Sequence, residues 1–276
     1  MHQESTIPAT WRTATTRQFS GRWRHAPVIA LFLALLAAPT LSAQESDPEY
    51  PVFDPSLADY DNIAALLLAE EIKEQYNGNT WGDSVSLRFD FVSYTAEGSE
   101  ISRTTNEWNL VTDRARLTGT LDDGSRYVVE FSSLRNLEGT MLVDSVAIPE
   151  AHQAQGLATA YDKLVSHTYW LTMPMRLLDP DLSLEVLPDT TLNTKPFVPM
   201  VVTFNDSNLS ATSARLYIDR DHKTIERWRI NYEGIEREFI HRMTRRIGPF
   251  IFATRLWSDD FGSYIQLERI KVRKVE

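Results

Sequence analysis

Apolar and polar positions alternate from residue 85 onwards, and this alternation predicts the first strand of a sheet. One face of the strand carries four apolar side chains: Val85, Leu87, Phe89 and Phe91. Similar patterns predict strands at about 101–111, 114–121 and 126–131, and the hairpin signal Asp122-Asp123-Gly124 joins the last two. Strands joined by short turns predict an antiparallel meander with one packed face and one solvated face.

A helix is predicted before this meander. Its apolar residues recur at helical spacing from Pro55, after the N-cap Asp54, to Tyr76. Gly78 is expected to end the helix in a left-handed C-cap, because glycine adopts that conformation without steric strain.

A second helix is predicted after the meander. The alternation breaks over residues 134–142, and helical spacing follows over about 148–165. Pro174 and Pro180 then bracket a short apolar piece, so the helix is expected to run into a loop that lies against the sheet.

The C-terminal third returns to strand patterns. Six strands are predicted at about 197–204, 214–218, 225–232, 236–245, 250–257 and 264–272. Pro199 makes the first of them an expected edge or irregular strand. An antiparallel sheet of about nine to eleven strands is too wide to stay flat, and it is expected to curl into a half or closed barrel. The predicted class is therefore α+β, mostly β, with helices covering the concave face.

The N-terminal segment has the pattern of an export signal. Four arginines within residues 12–24 precede the apolar run VIALFLALLAA at 28–38, and small residues allow cleavage after Ala43. The run is short for a permanent membrane span, although a retained anchor is the alternative. We expect a signal peptide over 1–43, a linker over 44–55 and a single domain over 56–276.

Charge and cysteine content narrow the function classes. The chain has 28 basic and 38 acidic residues, and removing the four leader arginines and Glu4 leaves 24 and 37, a net charge of −13. Such a surface repels phosphate backbones, so no nucleic-acid partner is expected. The chain has no cysteine, which excludes disulfides, thiolate metal sites and a lipid-modified cysteine. A soluble protein in a bacterial periplasm or outside the cell is expected.

One short motif suggests catalysis. Gly82-Asp83-Ser84-Val85 is similar to the nucleophile block of GDSL-type esterases, and Asp219 with His222 supplies a downstream D-x-x-H. A serine nucleophile needs a tight turn after a buried strand, whereas here a polar helix end precedes Gly82. Asp219 and His222 fall in a predicted hairpin turn, where such residues are common. A serine hydrolase therefore remains a distant third hypothesis, and no enzyme activity is expected.

Neither metal nor cofactor chemistry is indicated. The histidines show no metal-ligand spacing and each is expected to be a surface or satisfied polar residue, and the glycines form no phosphate-binding loop. The candidate site is instead an apolar lining, formed by Phe89, Phe91, Trp108, Leu110, Trp170, Met173, Trp228, Ile230 and Phe252. Helices can fill this face completely, or the face can keep a cavity for an apolar ligand.

Three segments together resemble a known design. They are TWGDSVSLRFDF (80–91), HTYWLTMPMRLLDPDLSL (167–184) and ARLYIDRDHKTIERWRINY (214–232). They resemble a family of exported bacterial proteins of unknown function, similar to the LolA, LolB and LppX lipoprotein-carrier fold, over nearly the whole chain after the leader. The resemblance implies an unclosed antiparallel half-barrel, helices as a lid, and a cavity that receives acyl chains in the carriers.

Two functions follow as hypotheses. The first is a binding or carrier-type protein whose ligand is a lipid, an acyl chain or another apolar molecule. The second is a non-catalytic interaction or scaffold module with a filled core, whose partner is a protein of the cell envelope.

Overall fold

The computed structural model describes residues 60–81, 85–232, 234–258 and 262–274. It contains two α-helices, α1 (Tyr60–Gln75) and α2 (Glu150–Arg176). The strands are β1 (Val85–Thr95), β2 (Glu100–Asn109), β3 (Arg114–Thr120), β4 (Arg126–Ser133), β5 (Glu138–Val143), β6 (Val146–Ala147), β7 (Leu182–Val186), β8 (Thr190–Leu192), β9 (Lys195–Phe204), β10 (Ala211–Asp219), β11 (Ile225–Tyr232), β12 (Ile235–Ile247), β13 (Phe250–Ser258) and β14 (Ser263–Lys274).

All strands of the described residues belong to one antiparallel sheet. Its order is β6-β5-β4-β3-β2-β1-β14-β13-β12-β11-β10-β9-β7, and β8 pairs with β9 beside β7. The pairing of β1 with β14 joins the first meander to the last strand of the chain. The outer strands β6 and β7 do not pair with each other in the described part of the chain, so the sheet stays open. The predicted α+β, mostly β half-barrel is confirmed, with more strands than the nine to eleven expected.

Helix α2 packs against one face of this sheet, which we call the inner face. In β1, alternate residues such as Leu87 and Phe89 point there and are almost completely buried. Inner-face residues of β1 and β9 to β14 form the larger apolar core with α1 and the C-terminal half of α2. A smaller core joins β3 and β4 to the N-terminal half of α2 through Leu157, Ala160 and Leu164. Each fully buried side chain of this kind contributes about 1.5–3 kcal/mol.

Helix α2 is longer than its sequence pattern predicts. The expectation that residues from His167 onward leave the helix as a loop is wrong, because α2 continues through Pro174 to Arg176. A proline inside a helix loses one backbone hydrogen bond and costs about 3 kcal/mol. Burial of Trp170 and Met173 against the sheet offsets that cost.

Strands β5 and β6 occupy the segment where the alternation was expected to break. Residues Glu138–Val143 pair along β4, although their side chains are only half-buried and show a weak pattern. A side chain at Gly139 would collide with the Glu130 carbonyl of β4. The close approach to β4 therefore determines that this segment forms a strand, and the local pattern of apolar and polar residues does not reveal that approach.

Strand β9 was expected to be an edge or irregular strand; it is not at a sheet edge, but its pairing is interrupted at Pro199. It pairs with β10 on one side and with both β7 and β8 on the other. Strand β7 pairs with Met200–Phe204 and β8 with Lys195–Phe197, so the missing N–H of Pro199 falls between the two ladders. On that side the Pro199 carbonyl accepts a hydrogen bond of 2.9 Å from the Leu187 amide.

Helix α1 ends one residue earlier than expected. Asn77 adopts the left-handed conformation, with φ 57°, in place of Gly78. Gly78 instead begins a 3-10 turn, and a β-carbon there would lie 2.9 Å from the Met175 and Lys73 side chains. The predicted leader 1–43, the linker 44–55 and the start of this helix lie outside the described residues, so the domain limits remain predictions.

Candidate functional site on the inner face

The structure brings most of the predicted lining residues into one place. Seven of the nine belong to the larger core: Phe89, Phe91, Trp170, Met173, Trp228, Ile230 and Phe252. Trp108 packs partly buried against the smaller core, and Leu110 lies half-buried in the turn that follows β2. These two residues do not join the other seven. Contact of any of the nine with a ligand remains a prediction.

The contact between α2 and the sheet is centred on three aromatic rings. Trp170 of α2 stacks on Trp228 of β11, with ring centroids 5.1 Å apart and an interplanar angle of 10°. Its edge also contacts Phe239 of β12, at 4.6 Å between centroids and 75°. Such pairs contribute about 0.5–1.5 kcal/mol beyond the area that they bury. In this conformation side chains fill the space between helix and sheet at this point.

Helix α2 also carries a buried histidine. The His167 ring stacks on Phe91, with centroids 3.8 Å apart, and its Nδ1 lies 3.1 Å from Oδ1 of Asn106 in β2. Burial lowers the pKa of His167 well below its ordinary value, and the charge of Lys163 adds to this effect. The ring is therefore neutral, and it satisfies the Asn106 oxygen by donating from Nδ1. This histidine is the satisfied polar residue that the sequence pattern predicted.

Polar contacts fix the middle of α2 to two sides of the sheet. Lys163 Nζ donates to the Tyr127 hydroxyl of β4 over 3.1 Å. On the other side, Tyr161 donates to the Asp206 carboxylate, and Asp162 accepts a hydrogen bond of 2.9 Å from the Ser210 amide before β10. Burial and the Asp206 carboxylate together raise the pKa of Tyr161. The helix thus spans the inner face between β4 and the loop that joins β9 to β10.

The C-terminal half of α2 satisfies its buried hydroxyls within the helix itself. Thr168 donates to the Leu164 carbonyl and Thr172 donates to the Thr168 carbonyl, each over 2.7 Å. Both threonines are fully buried. Because these groups need no partner on the sheet, they do not oppose separation of the two surfaces.

The residues of the hydrolase hypothesis do not form a described active site. Ser84 lies outside the described residues. The buried Asp219 carboxylate accepts backbone hydrogen bonds from Asp221 at 2.9 Å and His222 at 2.8 Å, which is the geometry of a turn. Burial alone would raise the pKa of Asp219, but hydrogen bonds from Lys195 and from these amides outweigh it and lower the pKa.

An open pocket of about 550 Å³ lies on the opposite, outer face of β1 to β5. Polar side chains such as Ser86, Asn109 and Thr140 contribute to its lining. Arg116 and Glu130 also line it and pair at 3.3 Å, with both side chains about half exposed. Exposed pairs of this kind contribute at most about 1 kcal/mol. The lining also includes three apolar residues, Trp108, Ala115 and Phe131, so the pocket is mixed in character.

Two further observations concern the described residues only. No three of their His, Asp or Glu side chains are grouped so that they could hold a metal ion. Neither α1 nor α2 is both long and apolar enough to cross a membrane.

No protein-family profile and no curated protein matches the chain. Among solved structures, it is similar to a LolA superfamily protein from Nitrosomonas europaea, with 10% identity and a TM-score of 0.48 over 77% of this chain and 94% of that one. A DUF1329 family protein from Desulfovibrio piger has 13% identity and a TM-score of 0.45, over 78% and 93% of the two chains. An outer membrane lipoprotein-sorting protein domain from Vibrio parahaemolyticus has 11% identity and a TM-score of 0.42, over 77% and 93%. Each of these likenesses is distant, with an identity of 13% or less and a TM-score below 0.5.

Proposed function

We propose that the protein is an exported, non-enzymatic binding or carrier-type protein for a lipid or another apolar molecule. The observation that supports this proposal is the open sheet, whose apolar inner face is covered by helix α2, with α1 packed into the same core. A sheet covered by helices can expose its apolar face when a helix moves.

In this proposal α2 acts as a lid. Its buried threonines are satisfied inside the helix, and Pro174 removes one backbone hydrogen bond near its C-terminal end. Opening of the helix breaks the contact of Asp162 with Ser210 at its middle and, in this half, mainly apolar contacts, including the stack of Trp170 on Trp228. The ligand then replaces the side chains of α2 on the inner face.

The energies of this exchange are of similar size. Exposing four large side chains of α2 costs roughly 6–12 kcal/mol, at about 1.5–3 kcal/mol for each. Burying an acyl chain of about sixteen carbons gains roughly 13 kcal/mol, at about 0.8 kcal/mol for each methylene group. A long acyl chain can therefore compensate for the opening, but a short one cannot.

A second function is favoured by a different observation. Trp170, Trp228 and Phe239 fill the space under α2 in the present conformation. If this packing is permanent, the protein is an interaction or scaffold module of the cell envelope, and its outer surface contacts a protein partner. Either function is consistent with export through the predicted leader.

Native mass spectrometry tests the two functions against each other. The exported chain is purified without detergent and is then incubated with vesicles of phosphatidylethanolamine and phosphatidylglycerol. A carrier gives lipid adducts, and it binds the uncharged fluorescent probe N-phenyl-1-naphthylamine in competition with lipid. A chain that gives no adduct and does not bind the probe favours the scaffold module and contradicts the carrier.

A further inference from the structure

Among the buried polar atoms without a hydrogen-bond partner in the described residues, four lie near one another on strands β11, β12 and β13. They are Nε1 of Trp228, both ring nitrogens of His241 and Oγ of Ser258. Trp228 and Ser258 are each only 1% exposed, so bulk solvent does not satisfy them. Native proteins pair the great majority of such atoms, and a group of unpaired ones points to a missing polar partner. His241 is therefore neither the surface residue nor the satisfied residue that its sequence context predicted.

Strand register places the three side chains around Phe239. Trp228 of β11 is opposite Phe239 of β12, and His241 follows Phe239 by two residues on the same face. Ile240 is opposite Trp257, which places Ser258 of β13 beside Phe239. The Trp228 and His241 rings lie 5.6 Å apart between centroids. Since neighbouring strands are about 4.8 Å apart, the three residues fall within a patch roughly 10 Å across.

The surroundings of this patch are apolar and its own groups are uncharged. Trp170 covers Trp228 from the side of α2, and Leu256 is opposite His241. Burial lowers the pKa of His241 to about 3, and the nearby backbone of Ile225 opposes this effect without meeting hydrogen-bond geometry. The imidazole is therefore neutral at physiological pH. The nearest inner-face cation along β12, Arg237, lies over the Tyr232 ring at 5.9 Å.

We propose that Trp228, His241 and Ser258 form a polar subsite that binds an uncharged, oxygen-bearing group of the ligand, namely a hydroxyl or an ester carbonyl. This inference rests on the proposed carrier function. The indole is a donor only, whereas the neutral imidazole and the serine hydroxyl each offer one donor and at least one acceptor. A ligand hydroxyl can use both kinds of partner. A carboxylate would lose its hydration without gaining a cation in the patch, so the subsite disfavours it.

Matched eighteen-carbon probes test this subsite by displacement of N-phenyl-1-naphthylamine. Oleyl alcohol carries the hydroxyl, 1-octadecene lacks any polar group, and oleate at pH 9 carries a charge. We expect the wild-type protein to bind oleyl alcohol about two- to tenfold more tightly than 1-octadecene, the effect of about one hydrogen bond. Oleate is expected to bind more weakly than the alcohol.

Conservative variants show which side chains cause the preference for the alcohol. Trp228→Phe keeps an aromatic ring but removes the donor, and Ser258→Ala removes the hydroxyl; each is expected to reduce the preference for the alcohol toward onefold without changing the affinity for 1-octadecene. Trp257→Phe is the matched control, because Trp257 stacks on Tyr264 on the outer face. It is expected to keep the full preference.

The outcomes separate this subsite from the carrier function. If no probe binds, the proposed function itself fails. If the alcohol and the hydrocarbon bind equally to the wild-type protein and to the variants, the carrier function stands and the subsite is overturned. Thermal unfolding of the ligand-free protein gives a second readout: Ser258→Ala is expected to leave the melting temperature unchanged or raised. A clear fall with unchanged preference would show that these groups hold an internal water, which also overturns the subsite.

Discussion

The indole of Trp170 in helix α2 lies nearly parallel to the indole of Trp228 in strand β11, 5.1 Å away between centroids. This pair closes the larger core between the helix and the sheet. In the proposed function a ligand has to separate the same two rings. Stability and ligand uptake are therefore expected to respond in opposite directions when the contact is weakened.

Replacement of Trp170 tests this relationship. Trp170→Ala removes a buried aromatic side chain and is expected to lower the free energy of unfolding by about 3–5 kcal/mol, measured by urea denaturation. It is also expected to increase binding of N-phenyl-1-naphthylamine, because it opens space on the inner face. Trp170→Phe, which keeps one ring, should give a smaller change in both measurements. An Ala variant that loses stability but binds no probe would contradict the lid.

Replacement of Pro174 tests the lid in the opposite direction, by stabilising helix α2. Pro174→Ala restores a backbone N–H that can donate to the Trp170 carbonyl, worth about 3 kcal/mol in a helix interior, while the lost ring atoms cost about 1–2 kcal/mol. A net gain of about 1–2 kcal/mol is expected in denaturation. The rate of lipid uptake from vesicles should fall, because the lid is stiffer. An unchanged uptake rate in a stabilised variant would show that this half of α2 does not limit entry.

Burial of two histidines predicts a pH dependence of stability. The pKa values of His167 and His241 are both lowered in the folded state. Their contribution to the free energy of unfolding is therefore fully present above the unfolded-state pKa of about 6.5, and it is lost as the pH falls toward the folded-state pKa values. Each histidine contributes a slope of up to about 1.4 kcal/mol per pH unit within that window. Unfolding measured between pH 7 and 4.5 should show a shallower slope for the variants His167→Gln and His241→Phe than for the wild-type protein. Equal slopes would contradict the burial of these rings.

On the outer face, Asp90 connects the two halves of the sheet. Its buried carboxylate contacts Arg103 of β2 at 2.7 Å and Arg269 of β14, and it accepts a hydrogen bond of 2.9 Å from Thr105. Asp90→Ala removes the buried acceptor that the two arginines share, while Arg103 keeps Glu100 and Glu268 as partners, so a cost of about 1.5–3 kcal/mol is expected in urea denaturation. Arg116→Ala breaks an exposed pair on the same face and serves as the control, with an expected loss below about 1 kcal/mol. Equal losses in both variants would rule out this role of Asp90.

The sequence predicts the elements whose pattern is local. Strands β1 and β11 are identified by alternating apolar residues, Leu87, Phe89 and Phe91 in the first and Trp228 and Ile230 in the second. A strand with one buried face shows this pattern because successive side chains point to opposite faces. The continuation of α2 through Pro174 is not predictable in this way, since it depends on what Trp170 and Met173 contact across the molecule. The same holds for β5, whose place depends on the close approach of Gly139 to β4.

The candidate site is predictable in its apolar part only. Seven lining residues meet in one core because large side chains at alternate positions of one face must be buried together. The positions of His241 and Ser258 beside Trp228 depend on the register between β11, β12 and β13, which no single strand pattern contains. A usable signal was that His241 follows Phe239 by two residues and therefore shares its buried face.

The most direct test of the lid is a reversible cross-link between α2 and the sheet. Ser210 contacts Asp162 of α2 through its amide and its hydroxyl, and the chain contains no cysteine, so Asp162→Cys with Ser210→Cys introduces one unambiguous disulfide. The disulfide, verified by mass spectrometry, holds α2 against the sheet and prevents the opening that uptake requires. The oxidised protein is therefore predicted to lose at least about 90% of its lipid uptake from vesicles, since an increase of about 1.4 kcal/mol in the free energy of opening already lowers uptake tenfold. Reduction should restore uptake, and Asp162→Cys alone should not respond to oxidation. Equal uptake by the cross-linked and reduced forms would contradict ligand entry beneath helix α2.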